Sequence, residues 1–330
     1  MNNVDARVER ILQAASWAPS VYNTQPWQVD VTGSLLTLRA DPSRQLRHSD
    51  PQGREMLISC GAFLFNARAA ARRESLVAVA RVLPDPDDEH LVAEVSLEPG
   101  SDPSSDELEL SVAITRRSTS REPFADEPLP TDVLAAIQAA AHTEGARLRL
   151  IQPSDPVRQE VTGLVRRAEE LAAEDPAARA EEEAWTAITA DRHDGIPQGL
   201  LGPVPDSDDA PVRHFLAGQG SAHFEQRSTM AVLATPGDSP RDWVAAGQAL
   251  EHALLTGTTY FVRASFATTV LENPTTRHDL RRALSLDSFP QMLMRLGTSA
   301  AQEHAPRRSV DDLATAGGPG GDDRSRDTSS

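Results

Sequence analysis

The sequence contains no lysine, so all 32 basic residues of the 330-residue chain are arginines. Without a lysine amine, Schiff-base and pyridoxal chemistry are excluded. The formal net charge of −17 argues against nucleic acid or an anionic membrane surface as a partner. The arginines are therefore the fixed cations that could hold an anionic ligand.

Cysteine is also scarce, since Cys60 is the single one in the sequence. A disulfide within the chain is thereby excluded, and the apolar run around Cys60 predicts a buried helical thiol. No apolar stretch approaches the roughly 20 residues needed to span a bilayer, and the N-terminus has no signal-peptide core. We therefore expect a cytoplasmic protein without a membrane partner.

Motifs of several common enzyme classes are missing as well. No Gly-x-Gly-x-x-Gly follows a predicted strand, which argues against a dinucleotide-binding domain. No Gly-x-Ser-x-Gly elbow is present, although the sequence alone leaves a Ser-His-Asp triad open. The nine histidines are scattered without zinc-like spacing, so we expect no metal site.

Length and composition predict two units. A chain of 330 residues exceeds the roughly 250–300 residues at which a single core stops growing. The run Pro-Gly-Ser-Asp-Pro-Ser-Ser at residues 99–105 resembles a linker, so the first unit covers residues 1–105 and the second covers residues 106–310. Residues 311–330 are predicted to form a disordered tail because of their polar, glycine-rich composition.

Apolar periodicity predicts both helices and strands in each unit, hence an α+β fold. Predicted helices cover residues 8–15, 52–73, 106–115, 131–142, 155–190 (broken near 176), 241–260 and 275–284. Predicted strands cover residues 28–31, 35–40, 77–83, 91–97, 147–152, 230–235 and 292–296. A weak internal repeat aligns Gly61 with Gly247, each in the predicted central buried helix of its unit, and chance is an open explanation for it.

The second unit has a long stretch rich in glycine and proline, residues 192–225, here called the lid segment. A loop of that length in a compact domain is usually functional or disordered. Its apolar residues form two small clusters, at 196–201 and 212–216, on either side of an acidic turn at 206–209. We predict that both clusters dock over a ligand site while the acidic turn stays in water.

Polar side chains are concentrated on a predicted loop at residues 18–27, Ala-Pro-Ser-Val-Tyr-Asn-Thr-Gln-Pro-Trp. Pro19 ends the preceding helix, and Ser20, Asn23 and Gln25 follow in quick succession before the first strand. Such a turn suits hydrogen bonding to a flat heterocycle or a phosphate. An ordinary turn with an N-capping serine is an equally weighted alternative.

A second candidate site is an arginine cluster, in which Arg116, Arg117 and Arg121 stand within six residues with serine and threonine hydroxyls between them. Guanidinium groups and hydroxyls so close together can form a fork for a phosphate. A solvated basic patch is the alternative. The acidity of the whole chain favours the anion site.

These two motifs carry a family resemblance. Pro-Ser-x-x-Asn-x-Gln-Pro-Trp resembles the flavin-binding loop of the nitroreductase superfamily, and the chain looks closest to the Acg-like branch. Arg116-Arg117-Ser118 resembles the motif with which the family grips the flavin phosphate, and a basic pair after the last strand completes that grip. The resemblance implies an FMN site that comprises Pro19, Ser20, Asn23, Gln25, Arg116, Arg117, Ser118, Arg121, Thr268, Arg307 and Arg308.

The family usually assembles each flavin site from two subunits of a homodimer. Here the two complementary motifs lie in different halves of one chain. The resemblance therefore implies two fused nitroreductase-like halves, an intrachain pseudo-dimer with one complete and one degenerate site. We expect a monomer or a weak homodimer.

The implied function is that of an FMN-dependent oxidoreductase, which takes electrons from NAD(P)H and reduces a small molecule such as a nitro compound or a quinone. The redox chemistry belongs to the flavin and requires no side-chain acid or base, so we assign no catalytic residue. The alternative is an FMN-binding protein that sequesters the flavin under a closed lid segment with little turnover. A flavin-free scaffold would leave the arginine cluster unexplained.

Overall fold

The computed structural model describes residues 6–189, 191–206, 210–215, 219–299 and 304–316. Its helices are α1 (Ala6–Ala15), α2 (Arg54–Arg73), α3 (Ser105–Arg116), α4 (Thr131–Thr143), α5 (Arg158–Glu174), α6 (Pro176–Trp185), α7 (Pro240–Thr259), α8 (Thr269–Glu272), α9 (Pro274–Ala283) and α10 (Val310–Leu313). Its strands are β1 (Trp27–Thr32), β2 (Leu35–Ala40), β3 (Leu76–Val82), β4 (Leu91–Pro99), β5 (Arg147–Ile151), β6 (Thr186–Ile188), β7 (Ile196–Pro197), β8 (Val204–Pro205), β9 (Ser221–Ala222), β10 (Thr229–Thr235), β11 (Val262–Phe266), β12 (Phe289–Thr298) and β13 (Ala314–Ala316). Within the described ranges, no helix combines the length and the apolarity that crossing a membrane requires.

The first sheet, with strand order β13-β1-β2-β4-β3, is built mainly from the N-terminal unit. β1 and β2 form an antiparallel hairpin around Gly33, whose φ of 62° suits a residue without a side chain. This hairpin confirms the strands predicted at residues 28–31 and 35–40. Helix α2 packs on one face of the sheet, and the edge strand β3 turns Val77 and Val79 to solvent.

The C-terminal residues add a strand to this sheet. The Ser309 hydroxyl caps α10 by accepting from the Asp312 amide, and β13 then pairs in parallel with β1, with Val29 opposite Ala314. The prediction of a disordered tail is therefore wrong for residues 311–316, because pairing with a strand far away in the sequence supplies backbone partners that composition does not reveal. The rest of the predicted tail, residues 317–330, lies outside the described ranges.

The second sheet has the antiparallel order β11-β12-β10-β5. Every residue of β10 is buried because the sheet is covered on both faces. Ala231 and Leu233 face the main core with α7, whereas Met230 and Val232 join an outer cluster with residues of α5, α8 and α9. Strand β11 was not predicted, since it follows α7 without a glycine or proline to mark the turn.

The two central helices, α2 and α7, cross where the weak repeat places its glycines. A Cβ atom on Gly61 would overlap the carbonyl oxygen of Val244, and one on Gly247 would overlap the carbonyl oxygen of Ile58. The two backbones can meet because neither helix has a side chain at this point. The repeat thus marks the contact between the two central helices, α2 and α7.

Other predicted features are also found. Cys60 is a buried helical thiol that donates to the Pro26 carbonyl oxygen at 3.3 Å, and burial raises its pKa. The helix predicted at residues 155–190 breaks as expected: α5 ends at Glu174, and Asp175 caps α6 by accepting from the Ala177 amide at 2.9 Å. Residues 186–188 form β6, which pairs with β7 of the lid segment.

Candidate functional site

Two adjoining cavities lie where the N-terminal loop meets the residues that follow α3. One is polar and the other largely apolar, and they share Pro19, Ser20, Thr119 and Arg121 as walls. The sequence-predicted site residues that line one or both cavities are Pro19, Ser20, Asn23, Arg117, Ser118, Arg121, Thr268 and Arg307. The remaining predicted residues, Gln25, Arg116 and Arg308, line neither cavity.

The N-terminal loop has a strained backbone. Tyr22, Asn23 and Gln25 have φ values of 48°, 55° and 50°. The left-handed region costs a residue other than glycine roughly 1–2 kcal/mol. Strain of this kind persists where the surroundings over-determine the conformation, and it is concentrated at ligand sites.

Asn23 is the centre of the contacts that hold this loop. Its amide nitrogen donates to the carbonyl oxygens of Gly195 and Pro306, both at 2.9 Å. Its Oδ1 atom accepts from Arg307 Nη1 at 2.9 Å. The Asn23 side chain therefore lines the polar cavity and also joins the lid segment to the C-terminal residues.

Gln25 is fully buried and makes a second set of such contacts. Its Nε2 atom donates to the His193 carbonyl oxygen at 2.8 Å, and its Oε1 atom accepts from the Arg308 amide at 2.9 Å. Arg308 Nη1 in turn donates to the carbonyl oxygens of Gln25 and Trp27, both at 3.1 Å. Gln25 and Arg308, both predicted to belong to the FMN site, use these polar atoms to hold the loop, and their contact with a flavin stays a prediction.

The arginine cluster is divided between solvent and cavity. Arg116 ends α3 and is exposed, whereas Arg117 is buried and lines the polar cavity. The following residues run as extended backbone beside β11, where the Ser120 amide donates to the Ala264 carbonyl oxygen at 2.9 Å. Arg117 Nη2 donates to the Trp17 carbonyl oxygen at 3.1 Å, and this contact holds the guanidinium at the cavity wall.

Several cations share the polar cavity. Arg307 Nη2 also donates to the Trp17 carbonyl oxygen, at 3.3 Å. Burial, together with the neighbouring guanidinium groups, lowers the pKa of Arg307 to about 9 and that of Arg121 to about 10, so both stay charged at neutral pH. The carboxylate nearest to Arg117 is that of Glu251, 3.6 Å from its Nε atom, and burial raises the pKa of Glu251 to about 7.

Some polar atoms of this cavity are buried and have no hydrogen-bond partner among the described residues. They are Arg117 Nε, Ser120 Oγ, His304 Nδ1 and Arg307 Nε. A buried polar group without a partner costs about 1–3 kcal/mol. Guanidinium and hydroxyl groups that have spare hydrogen-bonding capacity around one cavity are suited to hold an anion such as a phosphate.

The floor of the apolar cavity comes from the central helices and the second sheet. Ile58 of α2, Leu250 of α7 and Met292 of β12 lie there, and Thr268 stands at the N-cap of α8. The lid segment forms the opposite wall through residues of both predicted apolar clusters, namely Ile196, Leu201, Val212 and Phe215. Both clusters therefore reach this cavity, and their docking over a ligand stays a prediction. Leu216 and residues 207–209 of the acidic turn lie outside the described ranges.

The lid segment is anchored by a part-buried ion pair. Arg213 Nη1 lies 2.6 Å from Glu272 Oε1, and its guanidinium carbon lies 4.3 Å from the centroid of the Tyr22 ring. Next to it, the His214 amide donates to Glu169 at 3.1 Å. Burial raises the pKa of Glu169 to about 7 and raises that of Tyr22 above its usual range. These contacts hold the lid segment against the N-terminal loop and α8.

Sequence reasoning missed two buried carboxyl groups, those of Glu55 and Glu251. Glu55 lines the apolar cavity in the first turn of α2, and Glu251 lies in α7 below the polar cavity. A charged residue inside an apolar helix was the available signal for Glu251. In the first turn of a helix, however, a carboxylate is common because the helix dipole favours it. The position of Glu55 in the sequence therefore does not indicate a functional role.

Comparison with curated proteins finds relatives over most of the chain. "Putative NAD(P)H nitroreductase Rv3131" of Mycobacterium tuberculosis H37Rv is 30% identical over 300 residues, which cover 88% of this chain and 84% of the relative. "Putative NAD(P)H nitroreductase acg" of the same strain is 28% identical over 320 residues, which cover 93% of this chain and 94% of the relative. The alignments thus span most of the chain.

No protein-family profile matches the chain. Among solved structures, a nitroreductase with bound FMN from Desulfitobacterium hafniense aligns with a TM-score of 0.42 and 14% identity, over 64% of this chain and 98% of that chain. A nitroreductase from Bacteroides fragilis, also with bound FMN, aligns with a TM-score of 0.38 and 13% identity, over 61% of this chain and 93% of that chain.

Proposed function

Because the chain belongs to the family of the mycobacterial putative NAD(P)H nitroreductases, we propose that it binds one FMN across the two cavities and is an FMN-dependent oxidoreductase. NAD(P)H would be the electron donor, and a small nitro compound or quinone the acceptor. In this proposal the phosphate lies in the polar cavity and the flat ring in the apolar one.

The observation that carries this proposal is the cluster of guanidinium groups of Arg117, Arg121 and Arg307 around a polar cavity that adjoins an apolar one. Charged donors suit a phosphate, whose oxygens accept several hydrogen bonds at once. An apolar wall suits a flat heterocycle, because burial removes its surface from water. A ligand that has both parts explains why the cavities share walls.

Bound FMN would supply the hydride chemistry. The chain's own residues would do the rest. Arg117 and Arg307 would bind the phosphate by charge-assisted hydrogen bonds, while Ile58, Leu250 and Phe215 would exclude water around the ring. The lid segment would control how NAD(P)H and the acceptor reach it.

Purification tests the cofactor and its stoichiometry. The protein should be yellow and release one FMN per chain, because the two complementary motifs meet at one pair of cavities. A ratio near two would show that the second, degenerate site of the proposed pseudo-dimer also binds. A colourless protein that ignores added FMN would end the flavin proposal.

A second candidate function is FMN sequestration with little turnover. The anchor between Arg213 and Glu272 favours it, since this ion pair ties the lid segment to α8 beside the apolar cavity that both line or adjoin. Deletion of residues 199–209 should raise the rate at which NAD(P)H reduces the flavin if the lid segment limits access. An unchanged rate with FMN still bound would remove the reason for this candidate, and stopped-flow absorbance measures it.

A further inference from the structure

Glu55 is a carboxyl group without an assigned role inside the proposed flavin site. It stands in the first turn of α2, is 2% exposed, and lines the apolar cavity. Its Oε1 atom accepts from Arg54 Nη2 at 2.6 Å. Its Oε2 atom is buried and has no hydrogen-bond partner among the described residues. One oxygen is therefore held while the other is available.

The charges around Glu55 favour a retained proton. Arg54 on the same helix faces both Glu55 and Asp50, so one guanidinium serves two buried carboxyl groups. Glu272 of α8 and Arg213 of the lid segment also face Glu55, but they are already paired with each other. Burial, with Arg54 opposing it, raises the pKa of Glu55 to about 8.

We propose that Glu55 is the proton donor for the reduction of the electron acceptor in the apolar cavity. The proposal rests on the function proposed above, because it requires a flavin reduced by NAD(P)H in the same cavity. It adds a catalytic residue where the resemblance to the family supplied none. Arg54 would stabilise the carboxylate that remains after the proton has left.

A quinone acceptor makes the balance of the step explicit. The quinone takes a hydride, which is two electrons and one proton, from the reduced flavin, and it takes a second proton from the Glu55 carboxyl group. The O–H bond of the acid breaks, an O–H bond to a quinone oxygen forms, and the product is a hydroquinone. Glu55 is left ionised and regains a proton from water before the next turnover.

Two acceptors separate this role from a structural one. FMN-loaded protein is reduced anaerobically with NAD(P)H and mixed in a stopped-flow instrument with benzoquinone or with ferricyanide, which accepts electrons without a proton. Glu55→Gln keeps an oxygen for Arg54 but has no proton to give. Reoxidation by benzoquinone should become roughly a hundredfold slower, within the range for loss of a general acid, and reoxidation by ferricyanide should not change.

Two further variants complete the experiment. Glu55→Asp keeps the acid and should retain part of the benzoquinone rate. Glu144→Gln is the control, since Glu144 is a part-buried carboxyl group that lines neither cavity. Its ratio of benzoquinone rate to ferricyanide rate should equal that of the wild type.

The pH profile and an infrared spectrum give independent readouts. The wild-type benzoquinone rate should be level below about pH 8 and fall above it, because the acid must be protonated, while Glu55→Gln should be level throughout. Glu169 and Glu251, with pKa values of about 7, contribute carbonyl bands to both proteins at neutral pH. The FMN-loaded wild type should show one additional band of a protonated carboxyl group that Glu55→Gln lacks.

The outcomes separate the two proposals. Equal slowing with both acceptors, or slowing with neither, would overturn the role of Glu55 while leaving the flavin proposal intact. Retention of that additional infrared band in Glu55→Gln would likewise overturn it. A wild-type protein that binds no FMN would overturn both proposals.

Discussion

Guanidinium groups line both the polar and the apolar cavity, here called the polar end and the apolar end of the site, but their charge partners differ. At the polar end, the two guanidinium groups of Arg117 and Arg307 face one carboxyl group, that of Glu251, which lies 3.6 Å from Arg117 Nε and has a raised pKa. At the apolar end, Arg213 is paired with Glu272 at 2.6 Å. The polar cavity has more cationic than anionic groups and therefore suits an anionic ligand. The ion pair at the apolar cavity instead holds the lid segment in place.

The sharpest test of this difference is removal of the unmatched charge. Arg117→Ala combined with Arg307→Ala should weaken FMN binding by about 3–6 kcal/mol, since each charge-assisted hydrogen bond contributes about 1.5–3 kcal/mol. Riboflavin, which has no phosphate, should bind nearly as before. Arg116→Ala is the control, because Arg116 is exposed and lines neither cavity. Fluorescence titration measures all three, and equal weakening for both ligands would show that the arginines are structural.

A second test disturbs the crossing of α2 and α7, the two helices that lie beneath the site. Gly247→Ala places a methyl group against the Ile58 carbonyl oxygen at the helix crossing. Overpacking of this kind costs typically 1–3 kcal/mol or more, so the free energy of unfolding should fall and both FMN and riboflavin should bind less well. Gly163→Ala in α5, where a Cβ atom meets nothing within 4 Å, should leave stability unchanged or slightly raised. Denaturant titration decides between these outcomes.

A third test breaks the matched charge. Arg213→Met removes the partner of Glu272 and should speed reduction of bound FMN by NAD(P)H about tenfold or more, because the closed lid segment loses a part-buried charge-assisted contact. FMN affinity should change little. Arg192→Met, which removes an ion pair whose arginine is 37% exposed, is the control and should have a small effect. A reduction rate that is the same in both variants would argue against the anchor.

A fourth test concerns the pH dependence of stability. Burial raises the pKa of Glu251 from 4.5 to about 7, so the folded state favours its neutral form. That contribution is complete below about pH 4.5 and is lost as the pH rises through about 7, at up to about 1.4 kcal/mol per pH unit. Glu251→Gln cannot ionise, so its melting temperature without flavin should decline less between pH 5 and 8. Parallel melting curves for the two proteins would contradict this.

Elements with a strong local pattern were predictable. The alternation at residues 35–40 and the apolar helix at residues 54–73 need no distant partner to be recognised. β13 was missed because its evidence lies in β1, far away along the chain. β11 was missed because Phe261, with φ of 61°, makes the turn without the glycine that usually marks one.

The site was predictable where chemistry was local. Arg117 and Ser118 stood out as a cluster, but the sequence could not show that Arg116 turns to solvent. Gln25 matched the family motif, and its use in holding Arg308 depends on residues nearly the whole chain away. Glu55 was missed because burial, not residue type, makes a carboxyl group in the first turn of a helix unusual.

The contacts of Asn23 with Pro306 and Arg307 join the N-terminal loop to residues that are synthesised late. A ribosome makes both central helices before it makes Arg307, so a nascent chain has the apolar walls of the site well before it has the complete phosphate grip. Contacts between residues so distant in sequence also form slowly during folding. Capture of FMN would therefore be a late event, and a product that stops before residue 307 would be released without its cofactor.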